Sequence, residues 1–183
     1  MSIGLIVAIV AGVLLLWGIT VYNRMRVISN RVDNSWSQVD VQLKRRYDLI
    51  PNLVETVKGY AAHERETFEA VTKARSLGIE AKSVPEQAQA ENMLTQALRQ
   101  VFAVAEAYPQ LQANQNFLAL QEELSSTEGK IAFARQFYND TVLKYNNIIQ
   151  VFPNLILAGA FGFKPKEYFE IDEESRGPIK VQF

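Results

Sequence analysis

The chain has 183 residues, a net charge of -1 and no cysteine, which excludes disulfides, thiolate metal sites, iron–sulfur clusters and thiol nucleophiles. A near-neutral chain is not built for nucleic acid or for a strongly acidic partner, and its single histidine, His63, excludes any site that needs two imidazoles from one chain. Beyond the first apolar stretch about 160 residues remain, enough for one domain with a real core.

The first element is "IGLIVAIVAGVLLLWGITV", Ile3 to Val21, which carries no charge. At about 1.5 Å per residue it nearly matches a hydrocarbon core of roughly 30 Å. A cleaved signal peptide would want cations before the run, a shorter run and a small-x-small cleavage site; Met1-Ser2 and "VYNRMR" supply none of these. The reading is an uncleaved membrane helix over residues 1–22. Arg24, Arg26 and Arg31 follow the span and no Lys or Arg precedes it, so the positive-inside rule places the N-terminus outside and the rest in the cytoplasm. Trp17 and Tyr22 are placed at the membrane interface, with Arg24 and Arg26 at the headgroups. Gly4, Ala8 and Gly12 form a small-residue stripe that would let two such helices approach closely, although small residues are common in membrane spans.

No glycine or proline interrupts Ile19 to Ile50, so the membrane helix is expected to continue into the cytoplasm. Apolar residues recur at helical spacing through Val32, Trp36, Val39, Leu43, Tyr47, Ile50, Val54, Val57, Ala61, Phe68 and Val71, which predicts one helix over about 23–77. Pro51 lies inside it and removes the bond to the Tyr47 carbonyl, at a cost of about 3 kcal/mol. The stripe keeps its phase across the proline, so a kink near 47–51 is expected, with Asn52 or water taking the loose backbone groups. Glu64 and Arg65 fill a gap in the stripe, and Gly78 is a plausible terminus. Lys44 to Arg46 reads as a solvated helix face.

Ser83-Val84-Pro85-Glu86 fits a capping box and opens a second helix, about 84–107, with Leu94, Ala97, Val101, Ala105 and Tyr108 on one face. Asn114 is a suitable N-cap for a third, about 115–152, carrying Phe117, Leu120, Leu124, Ile131, Ala134, Tyr138, Val142, Tyr145, Ile149 and Phe152. The same helix holds Arg135, Tyr138, Asn139, Tyr145 and Asn146, a polar set suited to fixing register or an interface. "NLILAGAFGF" supplies a short fourth helix, about 154–160, expected to pack on the bundle, and residues 164–183 read as a charged, extended or disordered tail. The fold expected is all-α: a membrane helix continuing into an antiparallel cytoplasmic bundle of three long helices and a short fourth. The third helix would then overhang the second by about 18 Å, a surface needing the fourth segment or another subunit.

"QLKRRYDLIPNLVETVKGYAAHE", "YPQLQANQNFLALQEELSSTEGKIAFARQFYNDTVLKYN" and "FGFKPKEYFE" resemble the LemA family of bacterial membrane proteins, in order and over nearly the whole chain. The resemblance implies a helical bundle on one N-terminal membrane helix with the N-terminus outside, in the bacterial inner membrane. It implies no established enzymatic activity and no catalytic residues.

The residues themselves point the same way. "HERE" at His63 lacks the second imidazole of a zincin, and Asp48 lies about 22 Å away along a straight helix. No nucleophile–base pair, phosphate loop or calcium loop is present. No catalytic, metal or cofactor residues are therefore assigned. The expected function is a non-enzymatic scaffold that self-associates or holds an unidentified protein partner at the cytoplasmic face. The alternative is a membrane-anchored sensor or regulatory subunit binding a small ligand in the bundle.

Overall fold

The structure is a computed structural model and describes residues 2–170. Among these residues it is all-α: α1 (Ile3–Lys58), α2 (Arg65–Glu80), α3 (Val84–Glu106), α4 (Pro109–Gln112), α5 (Gln115–Gln150) and α6 (Asn154–Ala160). Residues 171–183 of the expected tail lie outside the described residues.

The helix expected over 23–77 is divided. α1 runs through Pro51 and stops at Lys58, residues 59–64 form turns, and α2 begins at Arg65. The break falls where Gly59 ends the good helix formers and where the apolar stripe has its gap. Nothing between Ala61 and Phe68 could hold a continued helix on a core, and single-helix propensity does not bridge such a hole. α2 runs two residues past Gly78, to Glu80. His63 is exposed in the 59–64 connection, not on a helix. The Ser83 hydroxyl accepts from the Glu86 amide at 3.3 Å, and the Glu86 carboxylate accepts from the Lys82 amide at 2.8 Å. Asn114 Oδ1 caps α5 by accepting from the amides of Asn116 and Phe117, at 2.9 and 3.1 Å.

The described residues form two compact units, 2–37 with 136–167, and 38–135 with 168–170. In the second, four helical segments alternate in direction. Tyr47 meets Arg75 and Lys58 meets Phe68, so α2 is antiparallel to α1. Arg46 meets Glu128 and Tyr60 meets Asn114, so α5 is antiparallel to α1 as well. The core is made by Leu43, Ile50, Leu53 and Val57 of α1, Phe68 and Val71 of α2, Leu94 and Val101 of α3, and Phe117 and Ile131 of α5. Each such buried side chain contributes roughly 1.5–3 kcal/mol. Leu111, on the single turn of α4, and Phe169 are buried here too.

In the other unit, residues 136–150 of α5 lie antiparallel along the part of α1 that follows the apolar run. The Trp36 and Tyr138 rings are 5.2 Å apart, and Tyr145 feels the charges of Asp33 and Arg26 further back along α1. Met25 and Val32 of α1 and Val142, Tyr145 and Ile149 of α5 are buried, as is Ala158 of α6. The expected overhang is thus covered within the chain, by α1 itself.

Candidate functional site

Three arrangements position chemistry. The first is α1's apolar run. No residue of that window is buried by the rest of the protein, and Ile3, Val7, Val13 and Leu16 stand 82, 62, 60 and 65% exposed. A bare sleeve of this length is out of place in water. Gly4 and Gly12 have nothing within 4 Å of where a Cβ would stand, so the small-residue stripe is open. Trp17 is partly exposed, Tyr22 is half-buried, and Arg24 and Arg26 are exposed just beyond.

The second is a buried polar cluster in the four-helix unit. Arg46 is 4% exposed, which overturns the solvated reading of that residue; Lys44 and Arg45 beside it do face solvent. Its guanidinium donates to Glu91 at 3.0 Å, to Thr95 at 3.1 Å and to Glu128 at 2.9 Å. The Tyr47 hydroxyl donates to the other Glu91 oxygen and accepts from Gln87 at 2.6 Å. Burial pushes the Glu91 carboxyl above its usual range, with Arg46 opposing. Burial, then the neighbouring Glu91 charge, raises the Tyr47 phenol. A Cβ on Gly78 would stand 2.7 Å from Tyr47 Cζ, so α2 can approach the ring only because residue 78 has no side chain. Two grooves in this unit, one along Lys58, Arg65 and Phe68 and one along Leu77, Glu80 and Met93, are not lined by Arg46, Tyr47 or Glu91. With no opening onto it from either groove, the cluster fits a role in fixing helix register. A signal for it exists in the sequence: Arg46 lies three residues after Leu43, and Glu91 three before Leu94. Opposite charges therefore stand at core spacing on two helices.

Also in this unit, Arg75 Nε donates to the Tyr47 carbonyl at 2.8 Å. That replaces the expectation of Asn52 or water, because a long cation on α2 reaches the carbonyl that Pro51 cannot serve.

The third arrangement is a ladder from α5 to the segment after α6. Tyr138 Oη donates to the Glu167 carbonyl, Tyr145 Oη to the Lys164 carbonyl, and Asn146 Nδ2 to the Lys166 carbonyl, each at 2.9 Å. The Lys166 amide returns a bond to Asn146 Oδ1 at 2.9 Å, and its ammonium pairs with Asp33. Burial raises both phenols, Tyr138 to about 12. Three of the five polar residues singled out on this helix therefore act together and hold residues 164–167 extended along α5. Asn139 is half-buried beside them, and Arg135 belongs to the other unit.

Among the described residues no group of His, Asp and Glu gathers as metal ligands would. What fold and site define is a membrane-associated helical-bundle protein whose buried polar groups bind its own backbone and helices. The chain belongs to the LemA family, whose model matches residues 35–183. It is similar to magnetosome protein MamQ 2 of Paramagnetospirillum magneticum, 28% identical over 86% of this chain and 68% of that protein. Magnetosome protein MamQ of Magnetospirillum gryphiswaldense is 26% identical over the same shares. Protein LemA of Metamycoplasma hominis is 26% identical over 71% of this chain and 60% of its own length.

Proposed function

We propose that this protein is a membrane-anchored, non-enzymatic helical scaffold. α1 spans the bacterial inner membrane with its N-terminus outside, and the bundle stands in the cytoplasm, where it self-associates or holds a protein partner. The observation that carries this reading is that one uninterrupted helix, α1, supplies both the bare apolar sleeve and the first core face of the bundle. Such a connection suits a protein that fixes position at a membrane. The likeness to proteins named for the magnetosome supports a role in a larger cellular assembly. The ligand-sensor reading draws less support from this helix, because Tyr138, Tyr145 and Asn146 spend polar atoms on main-chain groups.

The test is in-membrane crosslinking of the full chain, with Ala8→Ile and Gly12→Ile variants alongside. The expected result is a discrete crosslinked species, lost in the variants if the Gly4–Ala8–Gly12 stripe makes the contact and retained if the bundle does. A chain that crosslinks to nothing at any expression level would overturn the scaffold reading.

A further inference from the structure

Around α6 a second apolar surface stands unpartnered. Val151, Phe152, Leu155, Ile156 and Phe161 are 51, 80, 54, 63 and 58% exposed, while only Ala158 of α6 is buried. The chain carries no charge from Val151 to Phe163. The expectation that this segment packs on the bundle is met by Ala158 and in part by Leu157, while Leu155 and Ile156 stay exposed; Phe152, expected on the apolar face of the third helix, lies past the end of α5 at Gln150 and is exposed as well.

The position of the patch says what covers it. Trp36 lies beside Tyr138, and the helices run antiparallel at about 1.5 Å per residue, so Gln150 stands about level with Arg24. α6 follows from there. The Phe161 ring meets Tyr22 edge-on at 4.9 Å, and the Phe163 ring meets it at 5.7 Å. Arg26 lies over the Phe163 ring at 5.6 Å. Tyr22 closes the apolar run of α1, so the patch on α6 continues the bare apolar surface of the span at its charged end. Exposed Arg24, Arg26, Lys144 and Lys164 belong to the same unit and complement an anionic headgroup layer.

We propose that Val151–Phe161 is a second membrane contact of this protein, an apolar wedge seated at the headgroup–acyl boundary of the leaflet into which α1 emerges. This rests on the reading of α1 as a membrane span. Phe152, Leu155, Ile156 and Phe161 enter the lipid, Arg24, Arg26 and Lys164 meet phosphates, and the Tyr138–Tyr145–Asn146 ladder fixes the segment that leads back out. The wedge clamps the lower end of α5 to the bilayer, so the chain is held at two points.

The absence of native cysteine permits the test. Spin labels are placed singly at Leu155→Cys and Ile156→Cys in the full chain, with Val13→Cys in the span and Val41→Cys on the exposed face of α1 as references. Each protein is reconstituted at low density in phosphatidylethanolamine–phosphatidylglycerol vesicles. Collision with oxygen, which partitions into lipid, is compared with collision with a water-soluble nickel chelate. The labels at 155 and 156 should show oxygen-to-nickel ratios near that at 13 and far above that at 41. A lipid-like label at 13 with water-like labels at 155 and 156 overturns the wedge and leaves the span standing. A water-like label at 13 overturns the span and the wedge with it. Labels at 155 and 156 shielded from both reagents mean that protein covers the patch, which also overturns the proposal.

Discussion

Arg75 of α2 donates from Nε to the main-chain carbonyl of Tyr47 at 2.8 Å, and this carbonyl is the one that Pro51 leaves without a helical donor. α1 can therefore carry a proline in its interior because a neighbouring helix replaces the missing bond. Replacing Arg75 by Met keeps the apolar stem and removes the donor. The expected cost is about 1–3 kcal/mol, and in a Pro51→Ala background, where an amide is again available, that cost should shrink by about 1 kcal/mol. Urea unfolding of the four proteins, followed by helical ellipticity, measures it; equal costs in both backgrounds would show the two residues to be independent.

The Arg46–Glu91 pair is buried at both ends, so breaking it and replacing it differ in kind. Glu91→Ala leaves a guanidinium with only the half-exposed Glu128 to balance it and should cost about 3–5 kcal/mol, whereas Arg46→Met with Glu91→Leu should be near neutral or stabilising. The pH dependence carries a sign. Glu91 has a folded pKa above its ordinary 4.5, so its contribution to stability is fully present below that value and is lost as pH rises through the folded pKa. As pH rises above 4.5, wild type should lose stability relative to Glu91→Gln, which has no proton to release. A difference that is flat, or that favours wild type at high pH, would contradict a raised pKa.

Gly78 faces the Tyr47 ring, whose hydroxyl is tethered by hydrogen bonds to Glu91 and Gln87. Gly78→Ala should therefore destabilise by about 1–3 kcal/mol through overpacking, despite alanine's higher helix propensity. For a chain of this size that is roughly 2–4 °C in Tm per kcal/mol, readable in a thermal melt. A rise in Tm would mean the α1–α2 approach is looser than the contact implies.

Asn146 makes two bonds to the main chain of Lys166, whereas Tyr138 and Tyr145 make one each to their carbonyls. Asn146→Ala should accelerate amide hydrogen exchange at Lys166 by roughly 5- to 150-fold, as expected when about 1–3 kcal/mol of local stability is removed. Tyr145→Phe should have the smaller effect, and Glu55, an exposed position in the other unit, should be unchanged. Exchange at Lys166 that is already at the rate of an open chain in wild type would show that the ladder does not hold the segment.

How much of this is legible in the sequence can be read from particular residues. The apolar stripes of α3 and α5, the Ser83 and Asn114 caps and the bare Ile3–Val21 run follow from period, side-chain chemistry and charge, which are local properties that a sequence displays directly. The gap at Glu64-Arg65 is visible too, yet a gap weighs against a helix only by the packing it forfeits, and that depends on what the helix would have packed against. Arg46 illustrates the limit more sharply. Three adjacent cations look alike in sequence, and only the arrival of Glu91 from another helix turns the third inward while the first two face water. The polar set on α5 stands out in the sequence, but its partners do not, because they are main-chain carbonyls of a segment without periodicity.

By itself, then, the sequence determined the helical class, the apolar span and the charge asymmetry around it, since each is set by residues close together in the chain. Tertiary structure alone decided where the first cytoplasmic helix ends, that Arg75 serves the Tyr47 carbonyl, that Arg46 is buried against Glu91, and that α6 is brought beside Tyr22. The last three join groups 28 or more residues apart in the chain, whose meeting no local pattern encodes. The first turns on packing too, because a helix ends where the packing that would have held it runs out.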